Sequence, residues 1–165
     1  MRVLTSPETA LSPELRRQVA SLEHQAWPSI DPRLGHLHDP ALEPLSMLLV
    51  DGDRVVAALA VLSKALAHRG RTYAARGLST VVTDRSLRRR GHGLALVTAA
   101  RELIAASRAD LGLFTCDPPL QGFYERAGWE ELPDAVVVGG TPEAPLASDT
   151  LGKVTLAGFF SPQAR

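Results

Sequence analysis

A single cysteine, Cys116, excludes an internal disulfide and a cysteine-built metal cage. Net charge is missing as well. Lys+Arg and Asp+Glu are 18 each, so no broad field draws the chain to nucleic acid or to an anionic membrane. An aromatic stacking platform for bases is also absent. No apolar run is long enough to span a bilayer, and MRVLTSPETALSPELRR has no apolar core of signal-peptide length, so the cytoplasm is the expected compartment. The five histidines, His24, His36, His38, His68 and His92, form no recognised zinc spacing; His36-x-His38 alone is a weak signal, and no metal is expected. Neither GxxxxGK(S/T) nor GxGxxG occurs, which removes the P-loop and the dinucleotide fingerprint.

What is present suits one α/β domain over residues 1–165. Hydrophobic residues make up 45%, enough for a real core at this length. Met1 to Thr5 reads as a first strand. Ser12-Pro13 opens a helix, with serine as N-cap and proline in the first turn, and Leu15, Val19, Leu22 and Ala26 give it an apolar stripe up to Trp27-Pro28. Ser29 to Pro44, punctuated by prolines, reads as a long loop with one short helix. Met47–Val50, Asp51-Gly52-Asp53 and Arg54–Leu62 form a hairpin whose second strand is continuously apolar, as a strand covered on both faces should be. Thr72–Val82 and Ala109–Cys116 are further strands. Strands are also expected at Ala135–Val138 and Val154–Phe160, around a Gly/Pro-rich loop over 139–152.

The rest is organised around LSTVVTDRSLRRRGHGLALVTAARE, Leu78 to Glu102. A β-branched strand runs into an arginine-rich glycine turn and then a helix with Leu94, Val97, Ala100, Leu103 and Ile104 at helical spacing. A helix N-terminus carries unpaired N–H groups and a partial positive charge, so it attracts phosphate. Gly91 and Gly93 let a ligand approach the backbone, while Arg88, Arg89 and Arg90 add fork-shaped donors. The same run also reads as a solvated basic turn.

Arg88-Arg89-Arg90-Gly91-His92-Gly93 resembles the R/Q-x-x-G-x-G/A acetyl-CoA signature of the GCN5-related N-acetyltransferases (GNAT), and FYERAGWEE, Phe123 to Glu131, resembles the family's helix ending in a Tyr-x-x-x-Gly-Trp corner. The resemblance implies an α/β (α+β) GNAT fold, a mixed sheet of about six to seven strands flanked by about four helices. It also implies an acetyl-CoA-dependent N-acetyltransferase whose partner is a small-molecule amine, without nucleic acid, membrane or metal. Edge-strand pairing into a homodimer is common in the family.

By the same resemblance, the backbone of Val81, Val82 and Thr83 lies along the pantetheine arm. The pyrophosphate is held by Arg88, Arg89, Arg90, Gly91, His92, Gly93, Leu94 and Ala95, and Phe123 flanks the cofactor. Tyr124 falls where a hydroxyl meets the coenzyme sulfur, and a protonated tyrosine can act there as general acid. Leu78-Ser79-Thr80 stands where many members carry a glutamate base, so the proton acceptor is unassigned, with Glu23, His24, His36, His38 and Asp39 as candidates if the N-terminal loop folds over the site. Trp27 and Asp31 are acceptor-site candidates by position. Cys116 reads better as a small buried hydrophobe than as a nucleophile.

Residues 45–160 also resemble the aminoglycoside 2'-N-acetyltransferases, which implies an amino-sugar acceptor, with Asp31, Asp39, Glu143 and Asp149 as scattered acids. The acidic, tryptophan-containing C-terminal extension associated with those enzymes is missing. A non-catalytic acetyl-CoA sensor is the alternative reading.

Overall fold

The computed structural model describes residues 1–165, which form two compact units: Met1–Lys64 with Leu78–Ala100, and Ala65–Gly77 with Arg101–Arg165. The strands are β1 (Arg2–Pro7), β2 (Leu45–Asp51), β3 (Arg54–His68), β4 (Arg71–Thr83), β5 (Leu111–Cys116), β6 (Glu130–Glu131), β7 (Val138–Thr141), β8 (Ala144–Ala147) and β9 (Val154–Phe159). The helices are α1 (Pro13–Ala26), α2 (His92–Ala106) and α3 (Gln121–Arg126). Ladder order runs β1-β2-β3-β4 and then β4-β5-β9-β6, seven strands in a mixed sheet, with β7-β8 as a separate pair.

In the first unit, β1, β2 and β3 are antiparallel, with Leu4 opposite Leu48 and Leu48 opposite Ala58. Val55 to Val61 of β3 are all buried, as the unbroken apolar run requires. Helix α1 begins where the sequence indicates: the Ser12 hydroxyl accepts from the Leu15 N–H at 3.3 Å. Its apolar stripe meets a core of Leu11, Leu22, Leu48, Val50, Val55, Ala58 and Val82. In the part of α2 that belongs to this unit the fully buried positions are Leu96, Val97 and Ala100, whereas Leu94 is half-buried; of the residues that fall in the second unit, Ile104 is buried and Leu103 half-buried.

In the second unit, β5 is parallel to β4 at Ala75–Leu111 and Arg76–Gly112, and antiparallel to β9 along its whole length. Helix α3 closes with two backbone bonds, Trp129 N–H to Tyr124 O and Gly128 N–H to Glu125 O, with Gly128 left-handed at φ 87°. This turn delivers Trp129 into the core, 2% exposed, over Gly112 and Gly158, which face each other across β5 and β9. A Cβ on Gly112 would collide with the indole ring, so the sheet must be bare there.

Three expectations need correction. There are three α-helices rather than about four; the remaining helical pieces are single 3-10 turns at Glu8–Ala10, Pro40–Leu42, Arg85–Leu87 and Pro118–Leu120, three of which start at or directly after a proline that limits propagation. Ala135–Val137 is not strand. Instead, the Gly/Pro-rich segment folds on itself as β7-β8, reversing at Pro142-Glu143 between the paired Thr141 and Ala144, with Gly140 at φ 78° inside β7 where a Cβ would meet Ala144 O. β3 runs on to His68, beyond the expected end at Leu62.

Candidate active site

At the end of β4 the chain is fixed before it turns. The Asp84 N–H donates to Val56 O at 2.9 Å, the Asp84 carboxylate accepts from the Ser86 N–H and hydroxyl at 2.9 and 2.7 Å, and Arg54 pairs with it at 2.6 Å. Ser86 first, with Arg54 behind it, holds this carboxyl below the usual range, against the opposing effect of burial. Arg85 donates to the side-chain and main-chain oxygens of Gln25, tying the turn to the end of α1.

Beyond this anchor Arg88, Arg89, Arg90 and Gly91 are exposed, Arg89 and Gly91 are left-handed at φ 62° and 82°, and α2 starts at His92. The Ala95 N–H is the first to bond within the helix, to Gly91 O at 2.9 Å, so the N–H groups ahead of it lie at the unpaired end. Arg88 Nε donates to Thr83 O at 3.3 Å, and Arg89 and Arg90 take part in no ion pair. Val81, Val82 and Thr83 end the strand, and α2 starts at His92, two residues ahead of the expected Leu94, so that His92, Gly93, Leu94 and Ala95 form its first turn.

A second cluster in this unit gathers Glu23, His36 and His38, three of the base candidates, with Glu8, Ser79 and Thr80. Thr80, a β-branched residue inside β4, has φ 47°, a conformation that costs about 1–3 kcal/mol. Consecutive residues in a regular strand point to opposite faces. Here Ser79 Oγ meets His38 Nε2 at 2.9 Å, and the next residue, Thr80, lines a pocket with Glu8, Glu23, His36 and His38. His38 Nδ1 lies 3.2 Å from Glu8 Oε2, its side chain only 5% exposed. A hydrogen on Nδ1 directed at Glu8 leaves Nε2 to accept from the Ser79 hydroxyl.

Glu23, 3% exposed, accepts the His36 N–H at 2.6 Å, which folds the loop back against α1. Burial pushes its carboxyl up, opposed by the His36 N–H and the Thr80 hydroxyl. Burial likewise holds His38 below its ordinary value, with Glu8 acting in the opposite sense.

The other candidates serve the backbone. Asp31 accepts the Arg33 N–H and Asp39 the Ala41 N–H, at 2.7 and 2.9 Å, while His24 Nδ1 meets Ile30 O at 2.8 Å. Trp27 caps α1 and is half exposed; His36 packs edge-on to the His38 ring, centroids 4.6 Å apart. Glu143 and Asp149 are exposed at and after the β7-β8 hairpin.

In the second unit, Tyr124 is 6% exposed on α3, with edge-to-face contacts to Phe114 and Phe123, both at 4.9 Å between centroids. Burial, then the neighbouring Cys116 and Asp117, pushes its phenol up to about 12. It therefore keeps its proton across the physiological range. Cys116 is buried and its thiol is pushed up by burial, which removes the thiolate a nucleophile needs. No helix of the chain is long and apolar enough to cross a membrane.

A family model described as the acetyltransferase (GNAT) domain matches residues 11–132, well over half of the chain. No curated protein sequence matches. Solved structures similar to this chain include an acyl-CoA N-acyltransferase from Pseudomonas aeruginosa (14% identity, TM-score 0.62, 94% of this chain and 97% of that one). They also include an aminoglycoside 6'-N-acetyltransferase complexed with coenzyme A (16%, 0.61, 96% and 98%) and one from Enterococcus faecium (17%, 0.63, 98% and 98%). Likeness at these identities is likeness of fold. The matched domain assigns the chain to the GNAT acetyltransferase family, as an N-acetyltransferase.

Proposed function

We propose that residues 1–165 act as one catalytic domain that transfers acetyl from acetyl-CoA to a primary amine of a small molecule, by direct attack of the amine on the thioester. The observation that carries this reading is the exposed Arg88–Gly91 turn, left-handed at Arg89 and Gly91, running directly into the N-terminus of α2. Anions are held at such a terminus by free N–H groups and the helix dipole. In this reading the amides from Arg89 to Ala95 take the pyrophosphate, with Arg88, Arg89 and Arg90 as counter-charges and Phe123 beside the cofactor.

The backbone of Val81, Val82 and Thr83 follows the pantetheine arm, and an N–H there faces the thioester oxygen as negative charge develops on it. Tyr124 supplies a proton to the departing thiolate. Aminoglycoside-like amino sugars are one acceptor class; the half-buried Glu8 and the buried Glu23 supply carboxylates for a cationic acceptor in the first unit.

The test is calorimetric titration of acetyl-CoA into the wild type and an Arg88→Ala, Gly91→Asp double variant, followed by thiol release with a panel of amines. Binding by the wild type, loss in the variant and amine-stimulated release are expected. Binding without release for any amine would make the protein a sensor, and no binding would overturn the cofactor assignment.

A further inference from the structure

From the contacts among three residues far apart in sequence, we infer that Ser79, His38 and Glu8 form the proton path that frees the acceptor amine for attack. The inference rests on the acetyl-transfer reading and fills the place of its missing base. Three observations carry it. His38 Nε2 and Ser79 Oγ are 2.9 Å apart, Nδ1 and Glu8 Oε2 3.2 Å, so a carboxylate, an imidazole and a hydroxyl stand in sequence. The imidazole is nearly sealed from water, its side chain 5% exposed. Ser79 lies on β4 beside the left-handed Thr80, just ahead of the Val81–Thr83 segment assigned to the thioester arm.

The proton balance is straightforward. An acceptor arriving as an ammonium ion passes one proton to Ser79 Oγ while the Ser79 hydroxyl proton moves to His38 Nε2. The free amine's lone pair then forms the N–C bond, the C–S bond breaks with its electron pair on sulfur, and the proton the amine nitrogen loses ends on the thiolate. The imidazolium, held against Glu8, returns its proton to solvent. Ser79 meets the amine; His38 and Glu8 are positioning residues that receive and hold its proton.

The groups facing His38 set the pH response: Glu8 from the turn after β1, His36 from the same loop and Ser79 from β4, with Arg16 and Glu23 of α1 lining the same pocket. Burial holds the imidazole below its usual pKa of about 6.5, so it is neutral and able to accept a proton at pH 7. Rate is lost as pH falls through that lowered value.

The test measures thiol release against pH, and acetyl-CoA affinity by calorimetry, for wild type, His38→Gln, Ser79→Ala and Glu8→Gln. All four are expected to bind acetyl-CoA within about twofold of one another. His38→Gln is expected to lower kcat by about 10²-fold and abolish the acidic limb, and Ser79→Ala to lower kcat by about tenfold or more. Glu8→Gln should keep the limb but move it to lower pH, because the carboxylate that favours the imidazolium is gone.

Amine turnover in His38→Gln with wild-type kcat and an unchanged acidic limb would overturn the relay alone. If His38→Gln loses cofactor binding through misfolding, unchanged kcat in both Ser79→Ala and Glu8→Gln would overturn it instead. A wild type that turns over no amine would overturn the transferase reading and the relay with it.

Discussion

The half-buried Glu8–His38–Ser79 cluster of the first unit and the buried Phe114–Tyr124–Trp129 corner of the second are built on opposite terms. In the cluster each polar tip has a partner within 3.2 Å, and the strand beside it holds a β-branched residue in left-handed backbone. In the corner the contacts are ring against ring, with Trp129 edge-on to Phe114 at 4.9 Å over two bare glycines, and its indole N–H has no hydrogen-bond partner. Strain and polar burial cost stability, whereas aromatic packing over a glycine floor contributes it. The comparison teaches where each kind of substitution should be felt: corner variants in stability, cluster variants in rate. Tyr124 stands in the corner but is assigned a proton, so it is the residue on which the division is tested hardest.

Trp129→Ala should give the largest effect. Emptying the space under a fully buried indole costs about 3–5 kcal/mol, read as a fall in the urea midpoint. A variant with wild-type stability would break the corner's structural assignment. Tyr124→Phe comes next. Keeping the ring keeps the Phe114 and Phe123 contacts, so stability should hold within about 1 kcal/mol while kcat falls about 10²-fold. Unchanged kcat would return Tyr124 to the packing role. Gly112→Ala should cost about 1–3 kcal/mol through collision with Trp129, with turnover per folded molecule unchanged.

The smallest effect belongs to Glu23. Its carboxyl is raised by burial, so the folded state holds that proton more tightly than the unfolded chain. The stability this contributes is present below the unfolded value near 4.5 and is lost as pH rises through the folded one. Glu23→Gln keeps an oxygen for the His36 N–H and removes the charge. Its stability relative to wild type should therefore improve as pH is raised from acid toward neutrality, in denaturant titrations at several pH values. A difference that stays constant with pH would show that Glu23 is not desolvated in solution.

The sequence made legible whatever rests on neighbours along the chain. The Ser12-Pro13 start of α1, the Arg88–Gly93 turn and the Tyr124–Trp129 corner are local devices, and each stands where the residues indicated. The His38–Ser79 contact joins positions 41 apart and depends on how the Ser29–Pro44 loop folds back, which no periodicity encodes. Ser79 is marked in the sequence only as part of the Leu78-Ser79-Thr80 run that stands where the resemblance implies an acid. The sequence does carry one signal for the cluster: Glu23 lies four residues after Val19 and eight after Leu15, on the stripe that α1 buries. The β7-β8 hairpin gives little strand signal in the sequence because glycine, proline and alanine make up five of its eight strand residues.

The most direct measurement of the central claim follows both products of one reaction, coenzyme A thiol by colour and acetylated amine by mass spectrometry, with acetyl-CoA and an amine panel that includes amino sugars. The account predicts one thiol released per amine acetylated, for at least one member of the panel. Thiol released without any acetylated amine, or no thiol with any amine, would contradict it.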